Sequence, residues 1–218
     1  MIICWSAKGG SGTTVVAASL ALLLSRSRST LLIDLAGDAP AALGLPEPSA
    51  PGVADWLVSP TADAAALRRL AIPANDSLEL LPRGTPQMLG TLPGERWSAL
   101  VDAATALCDH PTFEGSVVVD AGVGRPPEAL VDGSTSLLVT RSCYLSLRRA
   151  VALDAHPTGV VLVLEPGRAL GAADIERAVG APVVATVPYD PAVARAVDSG
   201  LLAARLPRTL AHPLRSAT

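Results

Sequence analysis

The chain is poor in the features that mark several classes of protein. Aromatic residues make up 3% of its 218 residues, and its three cysteines, Cys4, Cys108 and Cys143, lie far apart without a CxxC pair. No apolar run approaches the roughly 20 residues that a membrane-spanning helix requires. These absences argue against a disulfide scaffold, a CxxC metal site and a spanning helix, and they favour free thiols in a reducing cytoplasm.

Lysine is the scarcest basic residue. Lys8 is the single lysine, while the other 16 basic residues are arginine. The planar guanidinium of arginine does not replace a compact ammonium group, so a lysine kept inside a Gly-rich segment indicates a function for it. The net charge of -3 gives no electrostatic basis for general binding to nucleic acids, although a local arginine patch stays open.

Apolar runs that alternate with helical segments organise the chain. Half of the residues are apolar, as expected when strands are buried on both faces of a sheet. The sequence predicts strands at residues 2–6, 30–34, 78–81, 116–120, 136–140, 159–164 and 183–187. It predicts helices at residues 13–25, 53–58, 62–70, 95–109, 144–154, 172–179 and 191–199, and a loop at residues 38–51. The alternation predicts an α/β fold with a mostly parallel sheet and helices on both faces, in a single domain over residues 1–218.

A Gly-rich segment, AKGGSGTT at residues 7–14, lies between the first predicted strand and the first predicted helix. Its glycines allow backbone N–H groups to turn inward, and the helix N-terminus behind them completes a cradle for an anion. Thr14 ends the loop, where a threonine typically ligates Mg²⁺. Ala7 and Thr13 replace the first glycine and the lysine of the strict G-x-x-x-x-G-K-[ST] pattern.

The loop is similar instead to the deviant K-G-G-x-G-K-[ST] loop of the ParA/MinD family, with Lys8 at the family's signature lysine. The likeness extends over nearly the whole chain. TLLIDLAGDAPAALGL resembles the segment after the family's second strand, and SVVVDAGVGRPP resembles the Walker B strand and its switch. STSLLVTRSCYLSLRRAVAL and APVVATVPYDPAVARAVDSG resemble later segments. The resemblance implies a three-layer P-loop NTPase domain that binds ATP or ADP with Mg²⁺ and forms a homodimer.

The resemblance also implies which residues form the site. Lys8 would reach the phosphates of the nucleotide in the partner subunit, and Lys8 and Asp38 are the candidate catalytic residues. Thr14, Asp34 and Asp120 would hold Mg²⁺, directly or through water, because Mg²⁺ takes few protein ligands. The implied nucleotide-binding residues are Lys8, Gly9, Gly10, Ser11, Gly12, Thr13, Thr14, Pro188, Tyr189 and Asp190.

Further candidates follow the predicted strands. Gly122 and Gly124 come directly after Asp120, where the family has its γ-phosphate switch. Arg125 and Arg168 also follow strand ends, and they are candidates to face phosphate.

Three departures from the family's pattern bear on activity. Thr13 replaces the second loop lysine, and such a charge-assisted phosphate contact is typically worth about 1.5–3 kcal/mol. Ala36 replaces the second aspartate, which positions the attacking water in the family, so Asp38 is the remaining candidate for that role. Glu165 replaces the adenine-side asparagine, which leaves ATP and GTP both open. Phosphoryl transfer depends on positioning and charge stabilisation, so hydrolysis is expected to be weak or absent.

Three functions stay open. The first is a dimer switch, with or without ATPase activity, that positions cellular machinery or DNA, as in chromosome partitioning. The second is a non-catalytic scaffold of the TadZ/CpaE branch, whose degenerate GGxGTT loops this loop resembles and which localises pilus or secretion machinery at the cell pole. The third is a dethiobiotin-synthetase-like ligase, but its loop normally retains the lysine that Thr13 replaces.

The expected partners are a second copy of the chain and an unidentified protein, in the cytoplasm, with recruitment to a pole or the nucleoid. Arg205, Arg208 and Arg215 are a candidate patch for non-specific contact with DNA. Pro207 and Pro213 break a continuous helix in the tail, so stable membrane insertion is not expected.

Overall fold

Eight strands join into one sheet in the computed structural model, which describes residues 1–85, 92–108 and 115–218. The strands are β1 (Ile2–Ser6), β2 (Ser29–Asp34), β3 (Ile72–Pro73), β4 (Leu78–Leu81), β5 (Gly115–Val123), β6 (Thr135–Arg141), β7 (Gly159–Leu164) and β8 (Val183–Pro188). Their order across the sheet is β3-β4-β2-β5-β1-β6-β7-β8, and every neighbouring pair is parallel except β3 with β4. The predicted mostly parallel sheet is confirmed.

Ten α-helices lie in the described part of the chain. They are α1 (Thr13–Leu24), α2 (Ala39–Leu43), α3 (Val53–Val58), α4 (Ala64–Leu70), α5 (Gly94–Cys108), α6 (Glu128–Val131), α7 (Tyr144–Ala152), α8 (Ala172–Val179), α9 (Pro191–Asp198) and α10 (Arg208–Leu214). The seven predicted helices begin and end within two residues of these bounds, and residue 109, the last of one prediction, lies outside the described residues.

The prediction of a continuous loop over residues 38–51 was wrong, because α2 forms within it. Asp34 accepts hydrogen bonds from the N–H groups of Gly37 and Ala39, which fixes the chain in a turn before the helix. Pro40 lies in the first turn of α2, where its fixed φ suits a helix start. The short α6 and β3 were also not predicted, and β3 ends in a proline at the sheet edge, where proline is tolerated.

Strand side chains alternate between two cores, as the period of two requires. Cys4 and Leu32 pack in the core that includes residues of α1, α2 and α10. Ile3 and Ile33 pack in the core on the other face, which includes residues of α3, α4, α5 and α6. Residues of α7 and α8 extend that second layer beyond Trp5. Helices therefore cover both faces, and the sheet lies in the middle of three layers.

Helix α1 is apolar on all sides because it is enclosed on all sides. Ten of its 12 residues are buried, between the sheet and α10. A helix that is apolar all round is typical of such an interior position. Its N-terminus follows β1 directly, which places the Gly-rich loop at the carboxyl edge of the parallel strands.

The tail packs on the protein surface beside α1 and β8. Helix α10 begins after Pro207, contains Pro213 in its last turn, and buries Leu210, Ala211 and Leu214. Pro207 precedes the helix, as expected of a break, whereas Pro213 lies inside it, so the prediction that Pro213 also breaks the helix was wrong. Within the described ranges, every helix is too short or too polar to cross a membrane.

Candidate phosphate-binding site

The Gly-rich loop takes the backbone conformation of an anion cradle. Gly10 and Gly12 have φ values of 76° and 93°, a left-handed region that side chains with a Cβ rarely adopt. Gly12 is the N-cap of α1, and the Ser11 hydroxyl donates to the carbonyl of Lys8 at 2.7 Å. The loop is therefore held by an internal hydrogen bond and lies in front of a buried helix. The N–H groups at the N-terminus of that helix favour an anion.

A cavity of about 400 Å³ opens in front of this loop, and we call it the loop cavity. It brings together the phosphate loop, the turn after β2 and the turn after Asp120. Its lining residues are Ser6, Gly9, Gly10, Thr13, Thr14, Leu35, Ala36, Asp38, Arg83, Ala121, Gly122 and Val123. Sequence reasoning had placed six of these in the site: Gly9, Gly10, Thr13, Thr14, Asp38 and Gly122.

Asp120 is buried directly before Ala121, which lines the loop cavity, and it has one unsatisfied carboxylate oxygen. Its Oδ1 accepts from the N–H of Gly122 at 3.0 Å, while Oδ2 has no hydrogen-bond donor in the described part of the chain. Burial raises the pKa of Asp120 to about 6, although the nearby hydroxyl of Thr14 acts in the opposite direction; the charge of Asp34 raises it further. A buried oxygen without a donor costs free energy, so this atom is suited to an additional cation.

The oxygen atoms of Thr14 and Asp120 suit Mg²⁺ better than they suit a metal that needs all its ligands from the protein. Residues 1–85, 92–108 and 115–218 contain no cluster of three or more His, Cys, Asp or Glu side chains that could hold a metal. Mg²⁺ usually keeps several waters and binds through one or two carboxylates and substrate phosphates. Thr14 and Asp120 would provide such a small set of oxygen ligands.

Asp34 has a different environment. It is fully buried, and its Oδ1 accepts from the N–H groups of Ala36 at 3.0 Å and Gly37 at 2.7 Å, while Oδ2 accepts from Ala39 at 3.0 Å. Burial raises its pKa, and the three backbone N–H donors oppose that shift. Asp34 therefore holds the turn before α2, and its contact with Mg²⁺ stays a prediction.

The two candidate catalytic residues lie in different places. The Lys8 ammonium donates to the carbonyl of Gly9 at 3.0 Å, and Lys8 is absent from the described residues that line the loop cavity. Asp38 does line the cavity, near Ala36. The catalytic role of either residue stays a prediction.

A second, smaller cavity of about 140 Å³ lies on the other side of the loop, and we call it the base-side cavity. It is lined by Ser11 and Gly12 of the loop, by Arg141, and by the predicted Pro188, Tyr189 and Asp190, among others. The carboxylate of Asp190 caps α9 through the N–H of Ala192 at 2.8 Å and also accepts from the Thr209 hydroxyl, and these bonds lower its pKa.

Glu165, at the position of the family's adenine-side asparagine, is held between two arginines. Its carboxylate is 2.7 Å from Arg141 and 2.6 Å from Arg168, and the hydrogen bond from Arg168 is the main reason that its pKa is lowered. Arg168 therefore binds Glu165 in this structure, and the interpretation that it faces phosphate stays a prediction. Arg125 lines a separate cleft with Trp5 and His156, so it does not join the loop cavity either.

Arg83 is the residue that sequence reasoning missed. It follows Leu81, the last residue of β4, by two positions, and it lines the loop cavity. Its guanidinium donates to the carbonyls of Leu35 and Ala36 in the turn after β2. Ligand-binding residues follow the carboxyl ends of parallel strands, and this rule applied to β4 would have found it.

The sequence profile of the CobQ/CobB/MinD/ParA nucleotide-binding domain matches residues 2–203. The chain belongs to this family. No curated protein matches the chain in sequence. Solved structures of the same fold include a ParA family ATPase from Chlorobium tepidum, with 21% identity, a TM-score of 0.76, and coverage of 98% of this chain and 94% of that one.

Two MinD structures are similar at comparable levels. The cell division protein MinD of Aquifex aeolicus has 18% identity and a TM-score of 0.74, over 99% of this chain and 93% of that one. The septum site-determining protein MinD of Pyrococcus horikoshii, complexed with Mg-ADP, has 18% identity and a TM-score of 0.70, with the same coverage. These likenesses confirm the predicted P-loop NTPase fold.

Proposed function

We propose that this protein binds ATP or ADP with Mg²⁺ in the loop cavity and acts as a nucleotide-dependent dimer switch that positions cellular machinery or DNA. The observation that carries the proposal is the buried Oδ2 of Asp120. This atom has no hydrogen-bond donor among the described residues, and the carboxylate lies near the hydroxyl of Thr14. A cation at this point would offset the buried charge, and a triphosphate in the loop would supply its other oxygen ligands. The P. horikoshii MinD complex with Mg-ADP supports the same pairing here.

Hydrolysis is proposed to be weak or absent. Ala36 lines the loop cavity where the family has its second aspartate, and Thr13 lines it where the family has a lysine. Asp38 is the acidic side chain among the described cavity-lining residues, and it is the candidate to orient a water. A cavity that binds the phosphates but positions the water poorly would hold the protein in its triphosphate state for longer.

The dimer is proposed from the position of Lys8. Its side chain is directed to the carbonyl of Gly9 and does not line its own protomer's loop cavity in the described structure. A lysine so placed is available to the nucleotide of a second copy, as the resemblance implies. Arg205, Arg208 and Arg215 are all exposed, and their contact with DNA remains a proposal, as does recruitment to a pole or the nucleoid.

Sedimentation of the purified protein with and without Mg-ATP tests the switch. We expect ATP to convert monomer to dimer, ADP to do so less, and Lys8→Ala to remain monomeric. Arg26→Ala is the control, because Arg26 is exposed just beyond the far end of α1. An oligomeric state that nucleotide does not change would overturn the switch and favour the non-catalytic scaffold of the TadZ/CpaE kind.

A further inference from the structure

Arg83 lines the loop cavity together with residues of the phosphate loop. It shares the cavity lining with Gly9, Thr13 and Asp38, although it comes from a strand that is separated from β1 by two others in the sheet. Its Nη1 donates to the carbonyls of Leu35 and Ala36, the second at 3.3 Å. The guanidinium is thus anchored on the turn after β2, whose residues Leu35 and Ala36 also line the loop cavity.

The backbone that carries Arg83 is fixed by α3. The carbonyls of Pro82 and Arg83 accept the N–H groups of Val53 and Ala54, both at 2.9 Å, in the first turn of that helix. Gly84 follows with a φ of 77°, and a Cβ on it would lie 2.1 Å from the backbone nitrogen of Gly52. The two chain segments therefore touch through glycine backbones, and Arg83 projects from a rigid corner.

The Asp55 carboxylate also joins the segment that carries Arg83 to the start of α3. It accepts from the N–H of Gly52 at 2.8 Å and from the N–H of Thr85 at 3.0 Å, and its pKa is lowered by these donors despite some burial. A side chain that projects from an immobile backbone loses less entropy when it binds a ligand. The fixed backbone around Arg83 is therefore what we expect at a residue that binds a ligand.

The turn after β2 leaves room for the arginine. A Cβ on Gly37 would lie 3.3 Å from the Cδ of Arg83, and Ala36 offers its carbonyl where the family has an aspartate side chain. Ala36, which stands where the family has an aspartate, is thus accompanied by the nearby Arg83 side chain.

The charges around the loop cavity also favour a phosphate-binding role for Arg83. Asp38 lines the cavity, and Asp34 and Asp120 lie buried beside it, whereas Thr13 brings no charge and the Lys8 ammonium is bonded to Gly9. Among the described residues that line the cavity, Arg83 is the cation. A phosphate chain that enters this cavity meets net negative side-chain charge unless Arg83 and a metal offset it.

We propose that Arg83 is a phosphate-binding residue, which supplies from the turn after β4 the positive charge that the loop lacks at Thr13. This inference rests on the proposed function, because it names a side chain that binds the nucleotide of the same site. The base-side cavity meets the loop at Ser11 and Gly12, and the loop cavity meets it at Gly9 and Gly10. A phosphate chain that follows the loop from the base-side cavity would therefore enter the cavity that Arg83 lines, where a guanidinium can donate to phosphate oxygens.

Equilibrium binding of AMP, ADP and ATP, each with Mg²⁺, to the wild type and to Arg83→Gln tests the proposal. We expect Arg83→Gln to weaken ATP binding by about 10- to 100-fold, the loss typical of a charge-assisted hydrogen bond, to weaken ADP less, and to leave AMP unchanged. Arg83→Lys should retain part of the affinity. Arg26→Gln, which removes the same charge at the far end of α1, is the matched control and should bind like the wild type.

A rescue separates a phosphate contact from a structural role. Thr13→Lys returns a lysine to the loop, so the double variant Arg83→Gln with Thr13→Lys should recover most of the ATP affinity, and the two changes should be non-additive in a double-mutant cycle. Thermal unfolding without nucleotide shows whether each variant folds. A structural role for Arg83 would instead lower the melting temperature and would not be rescued from the loop.

The outcomes distinguish the inference from the function on which it rests. If the wild type binds none of the three nucleotides, the proposed function fails. If the wild type binds ATP and a folded Arg83→Gln binds it equally well, or if AMP binding falls as much as ATP binding, the inference about Arg83 fails while the function stands. If Arg83→Gln does not fold, the ATP affinities of Arg83→Lys, Thr13→Lys and the double variant decide. Additive effects of the two changes on ATP affinity would contradict the claim that both side chains contact the same phosphates.

Discussion

Asp34 and Asp120 face each other in register on the neighbouring strands β2 and β5, yet their carboxylates differ in the number of donors that they meet. Asp34 accepts three backbone N–H groups. Asp120 has one oxygen without a donor among the described residues. The same residue type at the same level of the sheet therefore holds a turn on one strand and leaves a place for a cation on the other.

Replacement of Asp120 by asparagine should stabilise the protein without its ligands. Burial raises the pKa of Asp120 from 3.8 to about 6, so the folded protein binds this proton more tightly than the unfolded chain does. The free energy of unfolding should therefore fall as the pH rises from about 4 to about 6, and stay low above that range. Asp120→Asn removes the charge and should raise the free energy of unfolding at pH 8 by up to about 3 kcal/mol.

Urea denaturation of both proteins at pH 4 and pH 8, without nucleotide or Mg²⁺, measures this effect. The difference between wild type and Asp120→Asn should be large at pH 8 and small at pH 4. The same variant should lose the Mg²⁺ dependence of nucleotide binding. A variant that is less stable than the wild type at pH 8 would contradict the claim that the Asp120 charge is unsatisfied.

Asp34→Ala should have the opposite effect on stability. The substitution leaves the N–H groups of Ala36, Gly37 and Ala39 without their acceptor, and the loss of a buried partner, as at Ala39, typically costs about 1–3 kcal/mol. We expect denaturant midpoints to fall clearly for Asp34→Ala. Asp38→Ala is the control in the same turn, since Asp38 makes no side-chain capping bond to the described α2. Equal losses in the two variants would show that the carboxylate of Asp34 does not hold the turn.

Gly84→Ala tests the rigidity of the corner that carries Arg83. A methyl group at this position meets the backbone of Gly52, which cannot move without breaking the first turn of α3, so we expect a loss of more than about 3 kcal/mol. Gly133→Ala is the matched control, because Gly133 has a similar φ of 67° but no atom within 4 Å of the added carbon. It should lose only the roughly 1–2 kcal/mol of the left-handed conformation. Similar losses at both glycines would contradict close contact at the corner.

Much of the fold and part of the site follow from local sequence. The apolar strand β1, the glycines of the loop and the buried α1 are contiguous, so their order and spacing predict the cradle. Arg83 was missed because its place in the cavity depends on β4 lying beside β2. That pairing is a long-range contact, which a local sequence pattern does not predict. Glu165 meets Arg141 for a similar reason, since the two extend from the neighbouring strands β7 and β6. The different roles of Asp34 and Asp120 depend on which backbone N–H groups turn toward each, and the sequence shows only two strand-terminal aspartates.

Calorimetric titration of ATP into the wild type and Thr14→Val, each with Mg²⁺ and with a chelator, tests the central claim most directly. Thr14→Val removes the hydroxyl beside Asp120 and keeps the shape of the side chain. The account predicts micromolar binding to the wild type with Mg²⁺, and a loss of about 10-fold or more both with the chelator and in Thr14→Val. Absence of binding to the wild type at millimolar ATP, or equal binding in all four titrations, would contradict a Mg²⁺-nucleotide site at this loop.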